Sequence, residues 1–169
     1  FDFENGETPA PATLAIVWAD GTVTAAADDL LFPNGSVITD DGSTLIVGES
    51  MGARYTAFTI THDRGLTDRR IWAEVAGMAP DGCTIDADGA IWFADALGKQ
   101  VVRVREGGEI THRLPTADDA YACMLGGPDG RTLFVLTAAG SHPDVVAGTG
   151  TGALWRIDVA VPRTPTSRP

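Results

Sequence analysis

Two short motifs place an oxygen-bearing side chain between a proline and a glycine. They are Pro33-Asn34-Gly35 and Pro80-Asp81-Gly82. Asparagine and aspartate supply the hard oxygen ligands that calcium- and magnesium-type cations prefer. If the fold brings Asn34 and Asp81 together, the pair predicts a site for a divalent cation.

A third motif offers a different chemistry, because the segment GESMG around Ser50 fits the G-x-S-x-G pattern of serine hydrolases. A nucleophile elbow needs a strand, a sharp turn and a helix, followed by Asp and His. The residues after the motif, ARYTAFTITHDRG, alternate with a period of two and predict another strand. His62, His112 and His142 have no recognisable catalytic context. A serine hydrolase remains an alternative, which would be revived if Ser50→Ala abolished activity while Asp81→Ala left it intact.

The elements that must position these residues are short segments of alternating hydrophobicity bounded by Gly and Asp. They are rich in β-branched and aromatic residues, whereas long helical periodicity is absent. The segments include ATLAIVWAD, STLIVGES, RYTAFTI, RRIWAEV, AIWFAD, QVVRVRE, EITHRL, TLFVLT and ALWRIDV. The sequence therefore predicts an all-β fold.

Three of the strand pairs share an Asp-Gly turn, and these turns recur every 40 to 50 residues or so. The turn aspartates are Asp41, Asp88 and Asp129. Two further strands fit between consecutive copies, for example Arg54–Ile60 and Arg69–Val75. Four strands in a repeat of this length are typical of β-propeller blades.

The repeat also sorts the polar motifs by register. Counting back seven residues from each turn aspartate gives Asn34, Asp81 and Ala122. Asn-Gly is usually a hairpin turn, but each repeat already has its turn at Asp-Gly. Asn34 and Asp81 are thus predicted to begin the innermost strands of successive blades and to face the central channel. Asp129 lies in turn register, so we expect a structural role for it.

We predict one partial β-propeller over residues 1–169 of a six-bladed family. It comprises outer strands of one blade at 12–28, blades at 32–76, 79–115 and 121–159, and a Pro-rich tail at 160–169. This makes about three to three and a half four-stranded blades, whereas a closed propeller has at least about four. Because an open ring exposes a strand edge, we expect self-association or pairing with a missing N-terminal half.

Composition excludes two classes of partner. The chain has 12 basic and 23 acidic residues and no Lys/Arg cluster, which argues against nucleic acid. No apolar run approaches the roughly 20 residues of a membrane span. The first residues, FDFENGETPAPATL, lack a secretory signal pattern, so we expect a cytoplasmic protein. Cys83 and Cys123 lie in apolar strand-like contexts and are predicted to be buried.

Four segments together resemble the gluconolactonase / senescence marker protein (regucalcin) family of six-bladed propellers. They are DDLLFPNGSVITDDGSTLIVGES, APDGCTIDADGAIWFAD, VVRVREGGEI and ACMLGGPDGRTLFVLTA, and the resemblance runs from about Ala12 to Val159. It implies that Asn34 and Asp81 are ligands of a divalent cation (Ca, Mg, Mn or Zn) and that Asp81 activates water. A further Glu ligand and a substrate-contacting Asn belong to earlier blades, which no segment of this sequence matches.

The activity that the resemblance implies is metal-dependent hydrolysis of a sugar-type lactone. The cation polarises the lactone carbonyl and stabilises the oxyanion, while Asp81 assists the attacking water. The small-molecule lactone is the expected substrate, and full activity is expected to need the missing blades or a partner copy. The alternative is a non-catalytic propeller that binds a divalent cation or small ligand.

Overall fold

The computed structural model describes residues 5–165, which form four antiparallel sheets. The first sheet contains β1 (Ala12–Val17) and β2 (Val23–Leu30). The second contains β3 (Pro33–Ile38), β4 (Thr44–Glu49), β5 (Arg54–Ile60) and β6 (Leu66–Glu74). The third contains β7 (Pro80–Ile85), β8 (Ile91–Asp95), β9 (Gln100–Val104) and β10 (Ile110–Pro115). The fourth contains β11 (Asp119–Gly126), β12 (Thr132–Ala138) and β13 (Ala153–Asp158), with helix α1 (Pro143–Val146) before β13.

The prediction of an all-β fold is confirmed. Helix α1 has only four residues, and in the described part of the chain no helix is long and apolar enough to cross a membrane. The number of blades in a complete ring stays a prediction.

Asp-Gly turns join the first two strands of the second, third and fourth sheets. Gly42, Gly89 and Gly130 have φ values of 72°, 75° and 73°, a left-handed conformation that glycine adopts without steric cost. The aspartate before two of these glycines holds its turn locally. Asp41 accepts the Ser43 backbone N–H at 3.0 Å, and Asp129 accepts that of Arg131 at 3.1 Å.

The hydrophobic core consists of layers between successive sheets. Between the second and third sheets, the Tyr55 ring meets Trp72 and Phe93 edge to face at centroid distances of 6.1 and 5.6 Å. Between the third and fourth sheets, Trp92 and Leu133 are among the buried side chains. The second sheet is therefore covered by the third and the third by the fourth, which fixes the first strands of these three sheets relative to one another.

The first strands of the last three sheets, β3, β7 and β11, lie side by side, and we call them the inner strands. Glycine allows their close approach. A Cβ atom on Gly35 would overlap the carbonyl oxygen of Asp81, and one on Gly82 would lie 2.8 Å from the Cα of Ala122. Glycine in a strand often marks such an approach of two backbones.

Both cysteines are buried free thiols, as the sequence predicts. Cys123 donates to the carbonyl oxygen of Trp92 at 3.4 Å. Burial raises the pKa of Cys83 to about 12, so this thiol remains protonated and acts as a small apolar side chain.

The segment 160–165 does not trail away from the sheets. The backbone N–H of Ala87, in the β7–β8 turn, donates to the carbonyl of Pro162 at 2.8 Å. The N–H of Arg163 donates to Gly130, in the β11–β12 turn, also at 2.8 Å. The segment therefore ties two hairpin turns of neighbouring sheets together. The rest of the predicted Pro-rich tail, residues 166–169, lies outside the described residues.

Candidate active site

Asn34 and Asp81 are the second residues of the neighbouring inner strands β3 and β7. The structure brings these two predicted site residues together at one end of the strands, which we call the entry end. The Asn34 side chain lies close enough to the Asp81 carboxyl to lower its pKa. Ala122, at the third position of the register, contributes no polar group, so the entry end offers one amide and one carboxylate.

Burial raises the pKa of the Asp81 carboxyl above its ordinary value. The Gly82 backbone N–H and the Asn34 side chain, which both lower that pKa, offset the effect only in part. A desolvated carboxylate without full compensation is stabilised by a nearby positive charge. Asp81 is therefore suited both to ligate a cation and to accept a proton.

Ser50 lies in the turn after β4 and contacts both predicted site motifs. Its hydroxyl donates to the carbonyl oxygen of Pro80 at 2.5 Å and accepts a hydrogen bond from Asn34 Nδ2 at 3.3 Å. The chain after Ser50 forms strand β5 rather than a helix. The G-x-S-x-G segment thus lacks the strand–turn–helix geometry of a nucleophile elbow.

The histidines do not complete a catalytic triad around Ser50. The His112 ring packs against Trp92 on the third sheet at a centroid distance of 5.5 Å. His142 caps the N-terminus of α1, where its Nδ1 accepts the backbone N–H of Asp144 at 3.2 Å. His62 follows strand β5 in a turn.

A buried carboxylate at the end of the second strand recurs in two sheets, and sequence reasoning missed its role. Glu49 accepts the Leu31 backbone N–H at 2.7 Å, and Asp95 accepts that of Ala79 at 3.0 Å. Each carboxylate therefore holds the chain where it enters an inner strand. Glu49 also pairs with Arg54 at 2.9 Å. The available signal was the shared position of the two acids at the ends of STLIVGE and AIWFAD.

The donor set at the entry end fits part of a cation's coordination shell. Within residues 5–165 no group of three or more His, Cys, Asp or Glu side chains is placed to hold a metal ion. Asn34 and Asp81 supply two oxygen donors, whereas calcium takes about six to eight and magnesium about six. The remaining ligands of a bound cation would be water, substrate or groups beyond these two side chains.

Comparisons with known proteins are consistent with each other. A family model described as SMP-30/Gluconolactonase/LRE-like region matches residues 1–139. Pentonolactonase XacC of Haloferax volcanii is 32% identical over 161 residues, which cover 88% of this chain and 55% of that protein.

Solved structures show the same similarity. A gluconolactonase from Xanthomonas campestris has a TM-score of 0.66 at 27% identity, over 89% of this chain and 44% of its own. A calcium-binding protein, regucalcin, from Agrobacterium tumefaciens has a TM-score of 0.73 at 22% identity, over 89% and 53%. The chain thus spans about half the length of these relatives.

Proposed function

Because the chain belongs to the SMP-30/gluconolactonase/LRE-like family, we propose that it carries part of the active site of a metal-dependent sugar-lactone hydrolase. Asn34 and Asp81 are the proposed ligands of the divalent cation, and Asp81 is the proposed general base. The observation that supports this most directly is their juxtaposition at the entry end, with a carboxylate that burial makes more basic.

The two side chains offer hard oxygen donors, which are compatible with Ca, Mg, Mn and also Zn. When bound, the cation supplies Lewis acidity, which polarises the lactone carbonyl and stabilises the oxyanion. Gly35 contributes by letting β3 approach β7, so that ligands from separate sheets reach one point.

The Asp81 carboxylate takes the proton of the attacking water as the water oxygen bonds to the carbonyl carbon. The ring C–O bond then breaks, and the departing ring oxygen takes the proton that Asp81 removed from water, which gives the hydroxyl of the open-chain hydroxy acid and restores the Asp81 carboxylate. Burial raises the pKa of Asp81 in the cation-free protein, and a bound cation would lower that pKa again. The lactone is the one organic substrate this chemistry requires, with water as the second reactant.

The deciding experiment is a titration of Ca²⁺, Mg²⁺, Mn²⁺ and Zn²⁺, following thermal unfolding and lactone hydrolysis by release of acid. We expect at least one cation to raise the unfolding temperature and to activate hydrolysis of a pentono- or gluconolactone. Asn34→Ala should abolish both responses, whereas Ser43→Ala, at the other end of the strands, should retain them. Absence of any cation effect on the wild-type protein contradicts the proposal.

A non-catalytic propeller that binds a cation is the second candidate, because one structural relative is described as a calcium-binding protein. Cation binding without hydrolysis of any lactone tested would favour it.

Completion of the site by the other half of a longer chain, or by a second copy, is part of the proposal. The relatives are about twice as long as this chain. If the 169-residue protein sediments as a monomer and is fully active in the hydrolysis assay, this part of the proposal is wrong.

A further inference from the structure

We propose that Ser50 is a positioning residue for the cation site. Its hydroxyl decides which atom of the Asn34 amide remains for the cation, and it immobilises the peptide that leads into Asp81. The inference rests on the proposed cation site, and it gives a role to the one serine that the sequence motif singles out as a nucleophile.

The first step follows from counting protons. A serine hydroxyl has one proton and two lone pairs. The Ser50 proton is committed to the carbonyl oxygen of Pro80, 2.5 Å away. Only a lone pair is left to face Asn34, so the amide atom that lies 3.3 Å from Ser50 must be the nitrogen. The network thereby removes the usual ambiguity between the oxygen and nitrogen of an asparagine amide.

The second step concerns the atom that remains. The Asn34 Nδ2 atom is the one directed at the Ser50 hydroxyl. With its NH₂ group turned that way, Asn34 keeps its Oδ1 for another partner. An oxygen is what a calcium- or magnesium-type cation requires, whereas a flipped amide would present N–H groups to it. Without the Ser50 hydroxyl, the two amide orientations lose one of the contacts that distinguish them.

The third step concerns Asp81. Pro80 has no backbone N–H, so its carbonyl is the hydrogen-bonding group that this residue offers. By holding that carbonyl, Ser50 of the second sheet fixes the peptide unit between Pro80 and Asp81 in the third sheet. One hydroxyl therefore touches the supports of both proposed ligands.

The neighbouring sheet provides an internal control. Ser50 follows the buried Glu49, and Ala96 follows the buried Asp95 at the corresponding place. The backbone N–H of Ser50 donates to Phe32 at 3.0 Å, and that of Ala96 donates to Ala79 at 3.0 Å. The backbone role is thus the same in both sheets and needs no hydroxyl. The hydroxyl is present on the sheet that carries Asn34.

The test measures cation dissociation constants by calorimetry with Ca²⁺ and Mn²⁺ on the 169-residue protein, for the wild type, Ser50→Ala and Ser50→Thr. Loss of a hydrogen bond of about 1 to 1.5 kcal/mol corresponds to roughly a tenfold weakening. We expect about that loss for Ser50→Ala and recovery to within about threefold for Ser50→Thr. Ser43→Ala removes a hydroxyl that bonds only within the hairpin turn around Asp41, so it should bind like the wild type.

A double-mutant cycle separates amide orientation from general support. In the Asn34→Asp background the two carboxylate oxygens are equivalent, so no orientation remains to be fixed. Adding Ser50→Ala there should cost clearly less cation affinity than in the wild type, because only the support of the Pro80 carbonyl is then lost. An equal loss in both backgrounds would overturn the orientation argument, as would a Ser50→Ala protein that unfolds at lower temperature without cation yet binds cation normally.

The same measurements test the cation site and the role of Ser50 separately. If the wild type binds no cation, the proposed function fails. If the wild type binds and Ser50→Ala binds equally well, the cation site stands and the positioning role is wrong. Should Ser50→Ala fail to fold, Ser50→Cys keeps the side-chain volume but only a weak donor, and undiminished affinity in that variant contradicts the inference.

Discussion

The two ends of the inner strands carry aspartates whose pKa values are shifted in opposite directions. At the hairpin end, Asp41 accepts the Thr39 hydroxyl at 2.6 Å and the Ser43 backbone N–H at 3.0 Å. These hydrogen bonds, with that of Thr39 the largest cause, lower the pKa of Asp41 to about 2. At the entry end, burial raises the pKa of Asp81.

The two carboxylates differ in how fully their oxygens are hydrogen-bonded within the protein. A hairpin aspartate is satisfied by residues within a few positions of itself, so its charge stabilises the turn. Asp81 gives up contact with water and receives incomplete compensation from Gly82 and Asn34. Asp41, at the hairpin end, therefore has a structural role, whereas Asp81, at the entry end, is available to bind a ligand.

Replacing Asp81 and Asp41 in turn should give the largest effects and tests whether the two aspartates differ in role. Asp81→Asn should lower lactone hydrolysis by at least about 100-fold, since a general base typically contributes 10² to 10⁴. It should also raise the unfolding temperature of the cation-free protein, because it removes a desolvated charge. Asp41→Asn should lower that temperature and leave hydrolysis nearly unchanged. Calorimetry and a hydrolysis assay on both variants provide the check, and equal signs of the two temperature shifts would contradict the comparison.

Alanine substitutions of one glycine at each end test the same difference between the entry end and the hairpin end. Gly35→Ala forces a Cβ against the Asp81 carbonyl, so we expect a loss of about 3 kcal/mol in the free energy of unfolding, at the upper end for overpacking. Gly42→Ala meets no neighbouring atom but keeps a φ of 72°, which should cost about 1 kcal/mol. Denaturant unfolding measures both losses. Cation affinity should fall only in Gly35→Ala, because only that change separates Asn34 from Asp81.

The smallest expected effect is the pH dependence at the hairpin end. The pKa of Asp41 is lowered from 3.8 to about 2 in the folded protein. Its contribution to stability is therefore present above about pH 4 and is lost as the pH falls through 2. The stability difference between wild type and Asp41→Asn should shrink over this range in denaturant titrations. A difference that is constant from pH 5 to pH 2 would show that Asp41 is not the responsible group.

Much of the fold was predictable because its signals are local. Strand alternation and the Asp-Gly turns at Asp41 and Asp129 need only neighbouring residues to be recognised. The equivalent positions of Asn34 and Asp81 were predictable because each lies seven residues before the Asp-Gly turn of its own repeat. The structure brings the two together, while their roles as ligands stay predictions.

The rest depended on contacts between distant segments. Glu49 and Asp95 are acids in strand-like sequence, and nothing nearby tells that each accepts an N–H from the chain entering an inner strand. Ser50 matched a familiar catalytic pattern, yet its partners are 16 and 30 positions away. Gly82 reads as a turn residue until Ala122 of the next sheet is placed beside it.

The hydrogen bonds of segment 160–165 make two hairpin turns depend on residues far along the chain. The Ala87 N–H finds its acceptor in Pro162, a residue synthesised long after the third sheet is complete. Until then, that amide must bond to water and exchange its hydrogen freely. Protection of the Ala87 amide from exchange would therefore report that segment 160–165 has docked on the third and fourth sheets.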